Sequence, residues 1–149
     1  MYIPGLNVKL TAPYGLMILR VVLGIAFLIH GWSKFSGGVD GVAGFFTSLN
    51  IPAPSLVAYI VSIVELVGGA LLIVGFLTQI ASILLFLDML GAILFAFLMR
   101  GQPFVENGAI SWEKEAVFAA AALCIFLAGP GIWSIDEMMI DTRLRTSST

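Results

Sequence analysis

The sequence predicts an all-α integral membrane protein. The expected form is a four-transmembrane-helix antiparallel bundle, with a short interfacial helix between spans one and two and a short C-terminal helix. Three observations carry this. Of 149 residues, 60% are apolar and only 11% charged, where a soluble domain holds roughly 45–50% and about 25%. Four apolar stretches approach the roughly 20 residues that a helix needs to cross the hydrocarbon core. The few ionisable residues inside those stretches recur with small residues at helical spacing. A soluble chain this short could not cover its surface with so few charges. The net charge of −2 offers no basic patch, so nucleic acid is not expected as a partner. A lone cysteine, Cys124, leaves no internal disulfide, and a lone histidine, His30, no polyhistidine metal site. No metal is expected.

The first span covers residues 14–34. Arg20, His30 and Lys34 interrupt it, and no small-residue cleavage site follows, so it reads as a retained helix rather than a cleaved signal. Glycines 37 and 38, with Gly41 close behind, break the first helix ahead of residues 39–49, an apolar segment too short to span and expected at the interface. Asn50 and Pro52 stop that segment, and Pro54 opens the second span, residues 56–76, because proline suits a first helical turn. A connection of about two to eight residues is usual between bundled helices, and residues 75–79 turn the chain directly into the third span, residues 78–99. The polar loop 100–111 leads to the fourth span, residues 112–128, with Ser111 placed to cap it and Glu113 and Glu115 suiting its positive dipole end. Gly129-Pro130-Gly131 ends the span. Ser134 and Glu137 have the spacing of a capping box that opens a C-terminal helix, with Asp136 as a helix-start cap or a partner of the helix dipole. The tail from residue 143 reads as disordered, and the whole chain as one membrane domain.

Four spans place both termini on one side. Lys9, Arg143 and Arg145 at that end against Lys34, Arg100 and Lys114 at the other make the positive-inside count a tie. The expectation is a multi-pass protein of the cell membrane with cytoplasmic termini.

The chemistry lies in the ionisable residues within the spans: Arg20, Glu65 and Asp88, with His30 near a span end. Insertion scales charge about 2.5–3.5 kcal/mol for such a group at mid-depth, several leucines' worth. They should therefore turn into the bundle. Spacing agrees: Arg20, Gly24, Phe27, Gly31 and Lys34 share one stripe, Ala58, Ser62, Glu65 and Gly69 a second, and Ala81, Leu85, Asp88 and Ala92 a third. Gly24, Gly31, Gly68 and Gly69 read as packing positions that let helix backbones approach. At 1.5 Å per residue, Glu65 and Asp88 lie about 15 Å from the terminal-side surface, Arg20 about 9 Å and His30 about 24 Å. With side chains leaning towards their helix N-termini, the expected pairs are Arg20–Asp88 and His30–Glu65, with Lys34 snorkelling to the far interface.

Residues 20–35 (RVVLGIAFLIHGWSKF), Gly44-Phe45-Phe46, Ile51-Pro52, the E-x-x-G-G-x-x-L-x-x-G run from Glu65 to Gly75, and the GPG-x-x-S-x-D ending from Gly129 to Asp136 resemble the DoxX family. Asn50 stands where a glycine is usual, and asparagine also tolerates the left-handed backbone. The resemblance implies a small four-helix membrane protein. Relatives include the membrane part of a thiosulfate:quinone oxidoreductase, proteins linked to quinone or catechol resistance, and membrane partners of redox enzymes.

Three functions remain open on these grounds. The first is a membrane subunit of a quinone-linked redox system, with Glu65, Asp88 and His30 as candidate catalytic residues that hydrogen-bond a quinone oxygen or move its proton. No flavin, nucleotide or iron–sulfur motif is visible, so no intrinsic cofactor is expected. Electrons would come from a cofactor-bearing protein partner, and the chain is not expected to be catalytic alone. The second is a non-catalytic accessory or anchoring subunit of a larger membrane complex, docking through the small-residue face of span four (Ala116, Ala119, Ala120) and the 100–111 loop. In that case Arg20, Glu65, Asp88 and His30 form a structural polar network. The third is a small-solute carrier, which lacks the internal repeat usual in transporters.

Overall fold

A computed structural model describes residues 8–95, 105–106 and 109–146. Its elements in chain order are α1 (Val8–Ser36), α2 (Val39–Ser48), α3 (Pro54–Val74), α4 (Thr78–Leu94), β1 (Val105–Glu106), β2 (Ala109–Ile110), α5 (Glu113–Ala128) and α6 (Ile135–Thr146). The helices form an antiparallel bundle in which α1 packs on α3, α3 on α4, α4 on α5, and α5 closes back on α1, while α2 lies against α3.

Local chemistry sets the helix ends. Gly38, at φ 89°, separates α1 from α2, and Asn50 takes the left-handed conformation at φ 54° that its side chain tolerates. Pro54 opens α3 at its first turn. Gly75, at φ 70°, closes α3 in the left-handed C-terminal conformation. The expected elements are all present, with shifted ends. α1 begins at Val8 rather than residue 14 and continues through Pro13. The expected end of the third span, residues 96–99, lies outside the described residues. The α5 N-cap is Trp112, with no side-chain cap hydrogen bond, where Ser111 is the expected cap. The composition suggests disorder from residue 143, but α6 runs to Thr146. Its start is fixed by the Glu137 amide, which donates to Ser134 Oγ at 3.1 Å, and good helix formers follow. The 100–111 loop holds a two-residue antiparallel pairing, Val105 with Ile110 and Glu106 with Ala109. Its sequence signal is Asn107-Gly108 between the two pairs.

The core is thin and made of small or medium apolar side chains: Leu23, Phe27, Leu72, Ala81, Leu85, Ala122 and Ile125 are buried together. The outer faces are equally apolar, with Ile18, Val22, Ile25 and Ile29 exposed along α1 and Ile60, Ile63 and Val67 along α3. Such rows would aggregate in water and are at home in acyl chains. Residues 11–36 and α3 are long and apolar enough to cross a membrane, with mean hydropathies of 2.1 and 2.4. The 21 residues of α3 rise about 31 Å, matching a hydrocarbon core of about 30 Å. α4 is apolar but shorter over its described residues.

Without a hydrophobic force between helices in lipid, close backbone contact must hold the seam, and the glycines provide it. A Cβ on Gly24 would sit 2.8 Å from the Gly69 carbonyl oxygen, and one on Gly69 would sit 2.5 Å from the Leu28 nitrogen. One on Gly31 would run into the Leu66 backbone, and one on Gly68 would meet Leu85 at 3.1 Å. The hydroxyls of Ser62 and Ser82, both buried, are satisfied within their own helices by the carbonyls of Ala58 and Thr78.

Candidate functional site

The ionisable stripes do turn inward: Arg20 is 1% exposed and Glu65 3%, while Asp88 is half-buried. Their partners differ from the depth arithmetic. Lys34 Nζ lies 2.6 Å from Glu65 Oε2. Two features of the helices bring them together. The Gly31–Leu66 contact sets the next turn of α1 beside Glu65. Because α1 and α3 run antiparallel, each side chain leans towards its own N-terminus and so towards the other. The same tilt points Lys34 into the bundle, so it does not snorkel outward. The expected His30–Glu65 pair does not form: the His30 ring stands edge-on to Phe118 of α5, with centroids 5.9 Å apart.

The expected Arg20–Asp88 pair is also absent. α1 and α4 both start at the terminal end, so their side chains lean in the same direction and the depth gap between the two residues stays open. Arg20 instead donates from Nη2 to the Trp133 carbonyl at 3.1 Å, with the negative charges of Asp136 and Glu137 nearby. Arg20 Nε and Nη1 are buried without a hydrogen-bond partner among the described residues. Gly75 makes room for this guanidinium: a Cβ there would collide with Arg20 Nη1 and lie 2.5 Å from Ser134 Cβ. The expected single polar network is therefore two clusters, one at Arg20 near the chain termini and one at Lys34, Glu65 and Asp88.

Asp88 stands near Glu65 and the Lys34 ammonium, and the three share one cavity wall. Asp88 Oδ2 has no hydrogen-bond partner among the described residues. The cluster of Lys34, Glu65 and Asp88 lines a cavity of about 700 Å³ between α2, α3, α4 and the start of α5. Its walls are apolar, with Val42, Phe45 and Phe46 from α2, Val57 and Val61 from α3, and Leu87, Met89 and Ala92 from α4. Ser111 and Glu115 complete the polar lining. A mostly apolar cavity of this size with a few convergent polar groups has the form of a small-molecule site. Among the described residues no group of three or more His, Cys, Asp or Glu is placed to hold a metal ion.

Several of these residues are not evident from sequence. Lys34 shares the Arg20 stripe, and its inward turn follows from helix polarity. Glu115 reads as a dipole partner but lines the cavity. Asp136 does cap a helix start, but that of α4: its carboxylate accepts the amides of Leu77 at 2.9 Å and Thr78 at 2.8 Å. Of the small-residue face expected to dock a partner, Ala119 is buried in the bundle core.

The DoxX family model matches residues 15–98, a stretch that contains Lys34, Glu65 and Asp88. "Putative oxidoreductase CatD" of Bacillus subtilis is 39% identical over 125 residues, covering 84% of this chain and 87% of that protein. An uncharacterised membrane protein of Mycobacterium tuberculosis, Rv3486, is 32% identical over 134 residues, covering 85% of this chain and 82% of that protein. Inner membrane protein YphA of Escherichia coli is 30% identical over 128 residues, covering 84% of this chain and 90% of its own length. No solved structure matches the chain.

Proposed function

This chain belongs to the DoxX family and is a membrane protein, and on that premise we propose that it is the quinone-binding membrane subunit of a redox system whose electrons come from a cofactor-bearing protein partner. The observation that carries this reading is the Lys34–Glu65–Asp88 cluster on the wall of a cavity of about 700 Å³ that is otherwise largely apolar. Reducing a quinone to a quinol takes two electrons and two protons. The Lys34 ammonium is a donor that a quinone oxygen needs, and the neighbouring carboxyls of Glu65 and Asp88 are groups that can carry a proton and pass it on. The aliphatic and aromatic walls suit the ring and its prenyl substituent. The bilayer itself supplies such ligands. The name of the Bacillus relative points to redox chemistry, and the names of the Escherichia coli relatives support a place in the cell membrane. His30, against Phe118, serves packing in this reading rather than catalysis.

The test is purification in mild detergent, mass spectrometry of the lipids and subunits that accompany the protein, and titration with ubiquinone-1. Saturable binding is expected at micromolar concentration, weakened roughly tenfold by Glu65→Gln, the loss of one charge-assisted contact, at unchanged yield of monodisperse protein. A stoichiometric partner protein without any quinone binding would overturn the proposal in favour of an anchoring subunit.

A further inference from the structure

The cavity does not end at the buried cluster. Ser111 and Glu115 line it, and the same two residues line a second, open groove of about 520 Å³ on the bundle surface. The groove also carries Glu113 and Lys114, and both are exposed. Lys114 Nζ lies 3.5 Å from Glu115 Oε1. Glu115 thus lines both the open groove and the cavity, at the start of α5. Among the described residues, the carboxylates of Glu113 and Glu115 outnumber the one ammonium of Lys114, so the groove favours cations over anions.

We infer that Glu115 guards an aqueous mouth through which the Lys34–Glu65–Asp88 cluster exchanges protons with the compartment facing the start of α5. The role in quinone chemistry rests on the function proposed above. As two electrons arrive from the partner enzyme, Asp88 passes protons to the quinone oxygens one after the other, and each is replaced from water by way of Glu115.

The geometry provides reporter sites. A Cβ on Gly91 or on Gly41 meets nothing within 4 Å, and both residues line the cavity, so cysteine is accommodated at either. The protein carrying Gly91→Cys in a Cys124→Ala background is reconstituted in vesicles. It is then treated with two membrane-impermeant methanethiosulfonates, one bearing trimethylammonium and one bearing sulfonate. Glu113→Cys in the same background marks the face. Modification of Gly91→Cys is expected only from the face that modifies Glu113→Cys, with the cationic reagent faster by about tenfold after correction for intrinsic reactivity. Glu115→Gln should reduce that preference several-fold, and Glu115→Asp should keep it. Gly41→Cys serves as the reporter should the Gly91 variant not be recovered folded. Absence of modification, modification from the opposite face, or a preference unmoved by Glu115→Gln overturns the inference. No quinone takes part in this labelling, so its failure is separate from a failure of quinone binding.

Discussion

Asp136 holds Thr78: its carboxylate accepts the Thr78 amide at 2.8 Å across 58 residues of sequence, and the neighbouring Leu77 amide at 2.9 Å. Leu77, in the left-handed conformation at φ 49°, has no side chain able to cap α4, and Asp136 supplies the missing acceptor to the positive helix end. The clamp is reciprocal, because the Asp136 amide donates to the Gly75 carbonyl at 3.0 Å. The two motifs that stand far apart in the chain, one ending at Gly75 and one at Asp136, are thus halves of one contact. Arg20 is sealed beneath it.

Substituting Asp136 should therefore loosen a turn rather than a tail. A hydrogen bond to a charged group contributes about 1.5–3 kcal/mol. Asp136→Ala removes two such bonds and leaves Arg20 short of negative charge, so a loss of about 3 kcal/mol is expected. Asp136→Asn keeps one carbonyl acceptor and should lose roughly half as much. Thermal unfolding in detergent reads both, and an unchanged midpoint for Asp136→Ala would contradict the clamp.

Two glycines on neighbouring helices make an internal contrast. Gly69→Ala drives a methyl to 2.5 Å from the Leu28 nitrogen and 2.7 Å from the Gly24 carbonyl oxygen. Those are backbone atoms that cannot swing aside, so a cost of about 1–3 kcal/mol is expected. Gly91→Ala meets nothing within 4 Å, and by helix propensity alone it should be neutral or stabilise by up to about 1 kcal/mol. The comparison is made on yield and thermal midpoint of the two purified variants. Equal behaviour would mean that α1 and α3 are not in backbone contact.

Much of the bundle was legible because period and polarity are local properties. The Arg20 and Glu65 stripes, the glycines at 24, 31 and 69, and the short α2 with Asn50 at its end all follow from spacing and backbone sterics. Pairing was legible only in part. Depth and lean together matched Arg20 with Asp88 and His30 with Glu65, but the face of α1 decides the partner. Gly31 sits on Leu66 of α3 and carries Lys34 one turn on to Glu65, while His30 faces Phe118 of α5. The cap on α4 was beyond reach from sequence, since nothing near Leu77 announces that its partner lies after α5. The DoxX resemblance drawn from motifs stands, with its model covering residues 15–98, and Asp136 lies beyond that match.

The Lys34–Glu65 pair invites a double-mutant cycle. Lys34 is a quarter exposed and Glu65 almost fully buried. Losing only the lysine leaves a buried carboxylate uncompensated, which in full burial costs about 3–5 kcal/mol and here, with the lysine partly in contact with solvent, about 2–3 kcal/mol. Lys34→Met should therefore destabilise, and adding Glu65→Gln should recover part of the loss, because the buried carboxylate that faced the ammonium is then gone while Asp88 remains. Additive losses in the double variant would show that the two side chains do not depend on each other.

Occupying the cavity from within separates a ligand site from an accidental void. Gly91 lies on the cavity wall with open space where its Cβ would be, so Gly91→Leu projects an isobutyl group from there into the volume. Apolar atoms that fill a void stabilise through their dispersion attraction to its walls, so thermal stability should hold or rise. Affinity for ubiquinone-1 should fall by about tenfold or more, since the ring would have to surrender about 1.4 kcal/mol or more of apolar contact to share the space. Stability and binding would then move in opposite directions, which a general weakening of the fold cannot produce. Unchanged binding in a stably folded Gly91→Leu protein would place the quinone somewhere other than beside Glu65 and Asp88.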